Sequence, residues 1–287
     1  MAEYDTVAIV GVGLIGGSIG LALRERKLAR KIIGIGRRQT SLDAARKIGA
    51  IHHGVTNLAA GVAEAQLLIV ATPVDTIAER VIQAAAAAPP GSLITDAGST
   101  KESIVSTVDA ALAGRRSGPR FVGSHPLAGD HRTGAEHARP DLLDGRTVVI
   151  TPTEATRPAA VTEASGFWQS LGANVISMTP AKHDVALAIT SHLPHLVAVA
   201  LAAATPAEFL HLTASGWRDM TRIAGADPKL WQPIFVANRE RVLDALDVLS
   251  QTIENLREAL EQGDYESLTS ILEVAARKKR DRDALGD

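Results

Sequence analysis

The chain has 287 residues, of which 46% are hydrophobic and 22% charged, a composition typical of a soluble globular protein with room for two domains. Its formal net charge of −2 provides no field that would attract nucleic acid or an anionic membrane, and at 3% its aromatic residues are too few for a base-stacking surface. The absence of cysteine excludes disulfides, thiolate catalysis and cysteine-ligated metals.

The N-terminal residues MAEYDTV are acidic and lead directly into an apolar run, so no signal peptide is visible. No apolar stretch is long enough to cross a membrane without interruption. We therefore expect a cytoplasmic enzyme with no membrane or nucleic-acid partner.

Residues 7–20 read VAIVGVGLIGGSIG, a short apolar run followed by a glycine-rich turn and a helix start. In this spacing Gly11 allows a tight turn, Gly13 lets a pyrophosphate approach the backbone, and Gly16 lets the helix pack on the strand. The phosphates would bind unpaired N–H groups at the helix N-terminus. The backbone groups that we expect to contact them belong to Gly11, Gly13, Leu14, Ile15 and Gly16. The motif predicts a dinucleotide site; the alternative is a glycine-rich turn without a ligand.

A second apolar run, residues 31–36, predicts the next strand and bears on the form of the cofactor. In NAD sites an acidic residue about 20 positions after the glycine motif binds the ribose 2′-hydroxyl. Gly36 occupies that place, and Arg37 and Arg38 follow it. Arginine supplies forked donors for a 2′-phosphate, so we expect NADP to be preferred, with NAD possible. The alternative is a solvated basic turn.

Apolar runs that predict strands recur along the first 178 residues, with helical stretches such as 41–47 and 76–88 between most of them. The runs are Val7–Val10, Ile32–Ile35, Leu67–Ala71, Leu93–Thr95, Phe121–Val122, Thr147–Ile150 and Val175–Ile176. This alternation predicts an α/β fold, a doubly wound parallel sheet with helices on both faces.

The strand signals stop near residue 178, and the remaining pattern is helical, with breaks expected near Pro194, Pro206 and Pro228. We therefore predict two domains, residues 1–178 with a Rossmann sheet that binds NADP and residues 179–287 with helices only. Apolar spacing predicts one long helix over residues 234–262. The apolar stripes of the helical part need partners, and a homodimer is expected.

Three segments at predicted strand ends are candidates for a ligand-binding or catalytic site, because ligands bind there in open α/β sheets. Thr72 and Pro73 could line the nicotinamide, or form a plain exit from the strand. Ser99, in the segment DAGSTK, could face the reacting carbon, or cap a helix. His125, in SHPLAG, is placed after a strand as a candidate base, because a neutral imidazole is available at pH 7.

The helical part contributes three more candidate segments. His183 in KHD and His192 and His195 in SHLPH could line a site, bind a metal as a triplet, or be buried and hydrogen-bonded. No carboxylate-rich partner set accompanies them, so no metal is expected. Arg222 in WRDMTRIAG could clamp a carboxylate together with Arg218, or belong to a surface ion-pair pattern.

Read together, the glycine loop, DAGSTK, SHPLAG, KHD, SHLPH and WRDMTRIAGADPKLW resemble the prephenate/arogenate dehydrogenases of tyrosine biosynthesis over nearly the whole chain. The resemblance implies a Rossmann domain, a helical dimerisation domain, and oxidative decarboxylation of a cyclohexadienyl substrate with hydride transfer to the nicotinamide. It implies that His125 polarises the ring hydroxyl and that Ser99 orients this hydroxyl and the histidine. It further implies that Arg222 binds a substrate carboxylate, and that His183, His192 and His195 line the site.

After SHPLAG the chain carries Asp130 and His131, where members of this family often carry other residues. Asp130 would favour the ammonium group of arogenate if it faced the pocket, so the choice between prephenate and arogenate is left open. Two other functions are also left open. One is a β-hydroxyacid type of dehydrogenase that uses Lys182, and the other is a non-enzymatic NADP sensor.

Overall fold

The computed structural model of the chain describes residues 3–114, 117–129 and 132–284. Within these residues the strands are β1 (Tyr4–Val10), β2 (Ala29–Ile35), β3 (His53–Val55), β4 (Leu67–Val70), β5 (Leu93–Asp96), β6 (Arg120–Pro126), β7 (Thr147–Thr151) and β8 (Asn174–Ser177). The α-helices are α1 (Leu14–Glu25), α2 (Gln39–Lys47), α3 (Leu58–Val62), α4 (Val74–Ala87), α5 (Glu102–Leu112), α6 (Pro158–Ser170), α7 (Pro180–Leu187), α8 (Leu193–Ala204), α9 (Ser215–Thr221), α10 (Pro228–Ala237), α11 (Arg239–Gln262) and α12 (Tyr265–Ala284).

The strands form one sheet in the order β3-β2-β1-β4-β5-β6-β7-β8, and the predicted doubly wound α/β fold is confirmed. The strand order reverses between β1 and β4, and in such sheets ligands bind outside the carboxyl ends of the strands at that point. The sheet is parallel except where β7 runs antiparallel to β6. A parallel return normally needs a crossover helix, and the described part of the β6–β7 connection holds only a short 3₁₀ turn, Ala135–His137.

Alternate side chains of the buried strands pack on opposite faces of the sheet, which explains why helices cover both. In β1, Val7 and Ile9 belong to one apolar cluster, while Ala8 and Val10 belong to a second cluster on the other face. Since each face buries its own apolar layer, the strands read in sequence as continuous apolar runs.

Strand β6 is shared between two neighbours, and this positions His125. Its first half pairs with β5, whereas Gly123–Pro126 pairs with β7, with His125 opposite Val149. The sequence prediction placed His125 in a loop after a strand, and this is wrong by a few residues. The imidazole is therefore held on a paired strand.

Helices α7 and α8 are continuous through a π-helical turn, Ala188–His192, so the break predicted near Pro194 is not found. A proline within a helix lacks an N–H and clashes with the preceding turn, and the wider π turn relieves both problems. The resulting 25-residue helix, Pro180–Ala204, is long and apolar enough to cross a membrane by length and composition. It nevertheless buries polar side chains, among them Asp184 and His195.

The chain divides into two compact units, Met1–Asn238 and Arg239–Asp287. The single helix predicted over residues 234–262 is wrong, because α10 ends at Ala237 and α11 begins at Arg239. Between them Asn238 leaves the helical conformation and buries its side chain. In the second unit, α11 and α12 pack together and are joined at Gly263, whose φ is +67°. The predicted boundary near residue 178, where strands give way to helices, stays a prediction.

Candidate active site

The glycine loop lies at the reversal point of the sheet, directly after β1. Gly11 has a φ of +92°, and a Cβ there would lie 2.4 Å from the carbonyl oxygen of Ala71. A Cβ on Gly16 would lie 2.0 Å from the carbonyl oxygen of Gly11. At Gly13, by contrast, a Cβ would meet nothing within 4 Å. The first and third glycines are thus required by packing, while the second faces open space into which a pyrophosphate could fit.

Helix α1 begins at Leu14 with Gly13 as its N-cap, without a side-chain cap and without an acidic residue in its first turn. The first N–H groups of a helix have no partner within the helix, so those of Leu14, Ile15 and Gly16 are available to an anion. The loop therefore fits the diphosphate of a dinucleotide by shape and by charge.

Two further segments border the same edge of the sheet. Arg37 and Arg38 follow β2 and are both exposed. Thr72 and Pro73 follow β4; the Thr72 methyl lies 3.1 Å from the position that a Cβ on Gly11 would occupy, and Pro73 precedes the first residue of α4. All of these residues lie at the carboxyl ends of parallel strands, where the sequence analysis expected them.

His125 is joined to the first helix of the C-terminal part by a chain of short hydrogen bonds. Its Nδ1 lies 2.9 Å from Nε2 of His183, and Nδ1 of His183 lies 2.7 Å from Oδ1 of Asp184. His125 is half-buried, whereas His183 and Asp184 are almost completely excluded from solvent. The arrangement places a carboxylate behind two imidazoles in series.

The carboxylate of Asp184 is fixed by the start of α5. The backbone N–H of Lys101 donates to Oδ1 at 2.7 Å, and that of Glu102 donates to Oδ2 at 2.9 Å. The Asn238 amide donates at 2.8 Å to the Asp184 carbonyl oxygen and lies 3.1 Å from Nδ1 of His192. Two backbone donors thus hold the carboxylate of Asp184, and the Asn238 amide holds its backbone carbonyl.

Beneath this network lies a buried ion pair between Lys101 and Asp96, both with fully buried side chains. Lys101 Nζ also donates at 2.9 Å to the carbonyl oxygen of Ser124. Asp96 accepts in addition from the backbone N–H groups of Gly98 and Ser124, each at 2.9 Å. Burial lowers the pKa of Lys101, and the negative charge of Asp96 opposes this effect. The pair ties the end of β5 to the strand that carries His125.

The protonation of His125 is controlled by its surroundings. Burial lowers its pKa well below the ordinary value of 6.5, and a positive charge on a neighbouring His183, Lys101 or His192 would lower it further. A histidine in this position is neutral at physiological pH. It can therefore accept a hydrogen bond or a proton from a ligand.

The other two predicted histidines lie on the same long helix. Burial lowers the pKa of His192 to about 4. His195 stacks on the indole of Trp231 at a centroid separation of 3.7 Å, and its Nδ1 is buried without a hydrogen-bond partner among the described residues. Within these residues no group of three or more His, Asp or Glu side chains could hold a metal ion.

Within the described residues, no hydrogen bond joins Ser99, Arg222 or Lys182 to the histidine chain. Ser99 is half-buried in the loop after β5, and among the described residues its hydroxyl has no hydrogen-bond partner. Arg222 is exposed at the start of a 3₁₀ turn, Arg222–Gly225. Lys182, the candidate base of the alternative dehydrogenase chemistry, is exposed. Asp130 and His131 lie outside the described residues.

Sequence reasoning left several members of this network without a role. They are Asp96, Lys101, Asp184, Asn238 and Trp231. Asp96 and Lys101 belong to the segment DAGSTK, and Asp184 belongs to KHD. The sequence therefore identified these segments as candidates for a site, but it did not predict which of their residues bond to each other. The bonds from Lys101 and Glu102 to Asp184 span 83 and 82 residues, and no local spacing reveals such contacts.

Comparison with known proteins gives a consistent result over nearly the whole chain. The family model for the nucleotide-binding domain of prephenate dehydrogenase matches residues 19–177, and the model for its dimerization domain matches residues 179–274. The chain is 35% identical to prephenate dehydrogenase of Bacillus subtilis, over 94% of this chain and 74% of that protein. It is 30% identical to cyclohexadienyl dehydrogenase of Zymomonas mobilis, over 92% of each.

Solved structures agree with these relatives. A prephenate dehydrogenase from A. aeolicus, crystallised with hydroxyphenyl propionate and NAD+, has a TM-score of 0.88 at 30% identity, covering 96% of this chain and 98% of that one. Synechocystis arogenate dehydrogenase has a TM-score of 0.82 at 27% identity, covering 98% and 99%.

Proposed function

The chain belongs to the prephenate dehydrogenase family, whose activity is the NAD(P)-dependent oxidative decarboxylation of a cyclohexadienyl acid in tyrosine biosynthesis, and we propose that His125 is its catalytic base. The observation that carries this proposal is the hydrogen bond from His125 to the buried His183, at the sheet edge that bears the glycine loop. A neutral imidazole with a lowered pKa suits a group that must accept a hydrogen bond.

The proposed substrates are prephenate and arogenate, each with a ring carboxylate and a ring hydroxyl. A nicotinamide held at the glycine loop would supply the acceptor for hydride from the ring carbon that bears the hydroxyl. His125 shares the hydroxyl proton as the C–O bond gains double-bond character. The bond to the ring carboxylate breaks, its electron pair completes the aromatic ring, and CO₂ leaves. The proton then returns to the phenol oxygen, so no net proton is released.

The other predicted residues have roles that follow from the resemblance and from their positions. Ser99 is proposed to orient the substrate hydroxyl beside His125, and Arg222 to bind a substrate carboxylate. His183 is proposed to hold His125, while His192 and His195 line the pocket. The indole stacked on His195 supports a fixed ring there, since parallel aromatic planes restrict its rotation. Positioning is the main task of these groups, because aromatisation drives the reaction.

For the cofactor, NADP is proposed to be preferred over NAD. The support is the exposed pair Arg37 and Arg38 after β2, together with Gly36 at the place where an NAD site carries an acid. The contacts that we assign to the dinucleotide are those of Gly11, Gly13, Leu14, Ile15, Gly16, Arg37, Arg38, Thr72 and Pro73.

We further propose a cytoplasmic homodimer with the domain boundary at residues 178–180. Of the exposed large apolar side chains in the described part of the chain, all but Leu127 and Ile176 lie after residue 180, including Ile189 and Val199 on the long helix. Such a concentration of exposed apolar surface marks an interface. The matched dimerization-domain model covers the same part of the chain.

Steady-state kinetics with prephenate and with arogenate, each with NAD+ and with NADP+, tests the proposal directly. We expect reduction of the nicotinamide with at least one of the four combinations, together with release of one CO₂ per hydride transferred. Hydride transfer without CO₂ release, or no turnover of either acid, would contradict it.

A further inference from the structure

The carboxylate of Asp184 accepts hydrogen bonds from each of its described partners. Two of its donors are backbone N–H groups at the start of α5, and an ionised carboxylate at a helix N-terminus is stabilised. Because an ionised carboxylate offers only acceptors, the group that faces it at 2.7 Å must be a donor. Nδ1 of His183 therefore carries the proton.

A neutral imidazole has one N–H, so a proton on Nδ1 of His183 leaves its Nε2 as an acceptor. Nδ1 of His125 lies 2.9 Å from that Nε2 and must in turn donate. The remaining ring nitrogen of His125, Nε2, is then without a proton. It is also without a hydrogen-bond partner among the described residues.

We propose that Asp184, acting through His183, is a positioning residue that fixes the tautomer of His125 and leaves its Nε2 free to accept the substrate hydroxyl proton. The inference rests on the proposed function for the identity of that proton. For neutral imidazoles, the tautomers follow from the hydrogen bonds and do not depend on that function.

The same chain stabilises the charge that develops during the reaction. As His125 shares the hydroxyl proton, positive charge on its ring is balanced by Asp184 through the intervening imidazole. When the proton returns to the phenol oxygen, the resting tautomers are restored. The opposing charges are Lys101, which is neutralised by its ion pair with Asp96, and His192, which is neutral at physiological pH. A buried carboxylate behind a catalytic imidazole plays this part in hydrolytic triads, where it holds the tautomer without becoming protonated.

Solid-state ¹⁵N NMR of protein labelled with [¹⁵N]histidine reads the tautomers without substrate. The signals are assigned by comparison with the His125→Asn and His183→Asn variants. We expect a protonated Nδ1 and an unprotonated Nε2 for both residues at pH 7. A proton on Nε2 of His125 would overturn the inference, whether or not the enzyme acts on prephenate.

The Asp184→Asn variant tests the consequence for catalysis. Oδ1 of Asp184 faces Nδ1 of His183 and also accepts from the N–H of Lys101, while Oδ2 accepts from that of Glu102. An amide has only one acceptor oxygen and no charge, so it cannot hold Nδ1 of His183 as the carboxylate does or balance a positive charge on His125. We expect kcat to fall by about 10²- to 10⁴-fold, with KM and cofactor affinity within about threefold of the parent. The NMR of this variant should show that His125 no longer has a single tautomer and that part of it carries its proton on Nε2.

Asp109→Asn is the matched control, because Asp109 is a half-buried carboxylate that accepts from Thr153 at 2.7 Å outside the site. It should leave kcat within about twofold of the parent. Retention of full kcat in the folded Asp184→Asn protein would overturn the inference. If that variant does not fold, the spectrum of the parent protein still decides between the two tautomers.

Discussion

Lys101 and Asp96 form an ion pair from which solvent is excluded on both sides, and Asp184 receives its hydrogen bond from the backbone of the same lysine. Lys101 therefore joins two parts of the site. Its side chain binds the ends of β5 and β6, and its backbone N–H binds Asp184 on the long helix. This double contact leads to the first prediction.

Replacing Lys101 with alanine should destabilise the protein by about 3–5 kcal/mol, because it leaves the buried carboxylate of Asp96 without its counter-charge. Urea unfolding followed by circular dichroism measures the loss. Lys31→Ala is the control, since Lys31 pairs with the exposed Glu64 at 2.9 Å, and its removal should cost about 1 kcal/mol or less. Equal losses for the two variants would show that burial of the first pair is unimportant.

Two glycines of the loop should respond to alanine in opposite ways. Gly16→Ala places a Cβ 2.0 Å from a backbone oxygen, so we expect a lowered midpoint of thermal unfolding. Gly13→Ala meets nothing within 4 Å, so stability should be unchanged. Its methyl would occupy the space assigned to the pyrophosphate, and the Kd for the dinucleotide should rise about tenfold or more. Unchanged affinity in Gly13→Ala would contradict the assigned cofactor position.

His125→Asn removes the proposed base while retaining a polar side chain of similar reach. We expect kcat to fall by about 10²- to 10⁴-fold, the usual contribution of general acid–base catalysis, with the Kd for the dinucleotide unchanged. Stopped-flow and fluorescence titration measure the two quantities. A variant that binds the cofactor normally and keeps full turnover would show that His125 is not the base.

Stability should decrease as the pH falls from about 6.5 towards 4. The unfolded chain protonates His192 near its ordinary pKa of 6.5, whereas burial lowers the folded-state pKa to about 4. Between these values the unfolded state binds more protons, so the free energy of unfolding falls with pH, by about 3 kcal/mol for this group. Urea unfolding at pH 7, 6 and 5 gives the slope, and His192→Gln should reduce it. An equal slope in both proteins would assign the effect to other groups.

Arg37→Asp should raise the KM for NADP+ by about tenfold or more, because a carboxylate repels the 2′-phosphate and can bind a 2′-hydroxyl instead. The KM for NAD+ should stay the same or fall. Arg30→Asp, at the other end of β2, is the control and should leave the ratio of the two constants unchanged. An unchanged ratio in Arg37→Asp would remove the basis for NADP preference.

The fold was largely predictable because its signals are local. Strands buried in a parallel sheet read as continuous apolar runs, and apolar runs mark seven of the eight strands of the described residues. The strand that was missed, His53–Val55, has three residues at the edge of the sheet and no apolar run. The predicted helix over residues 234–262 failed because Asn238 breaks a regular apolar spacing to bond with Asp184, a contact 54 residues away.

The site was predictable in part for the same reason. The glycine loop is a motif of six residues, and its geometry follows from the sequence alone. The burial of Lys101 was not predicted, because a lysine is normally exposed and its burial here depends on the ion pair with the buried carboxylate of Asp96. Likewise, the bond between His125 and His183 joins residues 58 apart. Such pairs become neighbours only when the sheet and the long helix are assembled.

The π turn at Ala188–His192 changes the angular phase of the long helix. In an undisturbed α-helix, each residue advances by about 100°, so His195 would lie about 120° around the axis from His183. The wider turn absorbs one additional residue and returns His195 to within about 20° of that direction. Because the π turn absorbs one residue, His183 and His195 face nearly the same direction, and both are buried. An insertion or deletion in this turn would therefore rotate all the following residues of the helix about the helix axis, and so change which of them face the pocket.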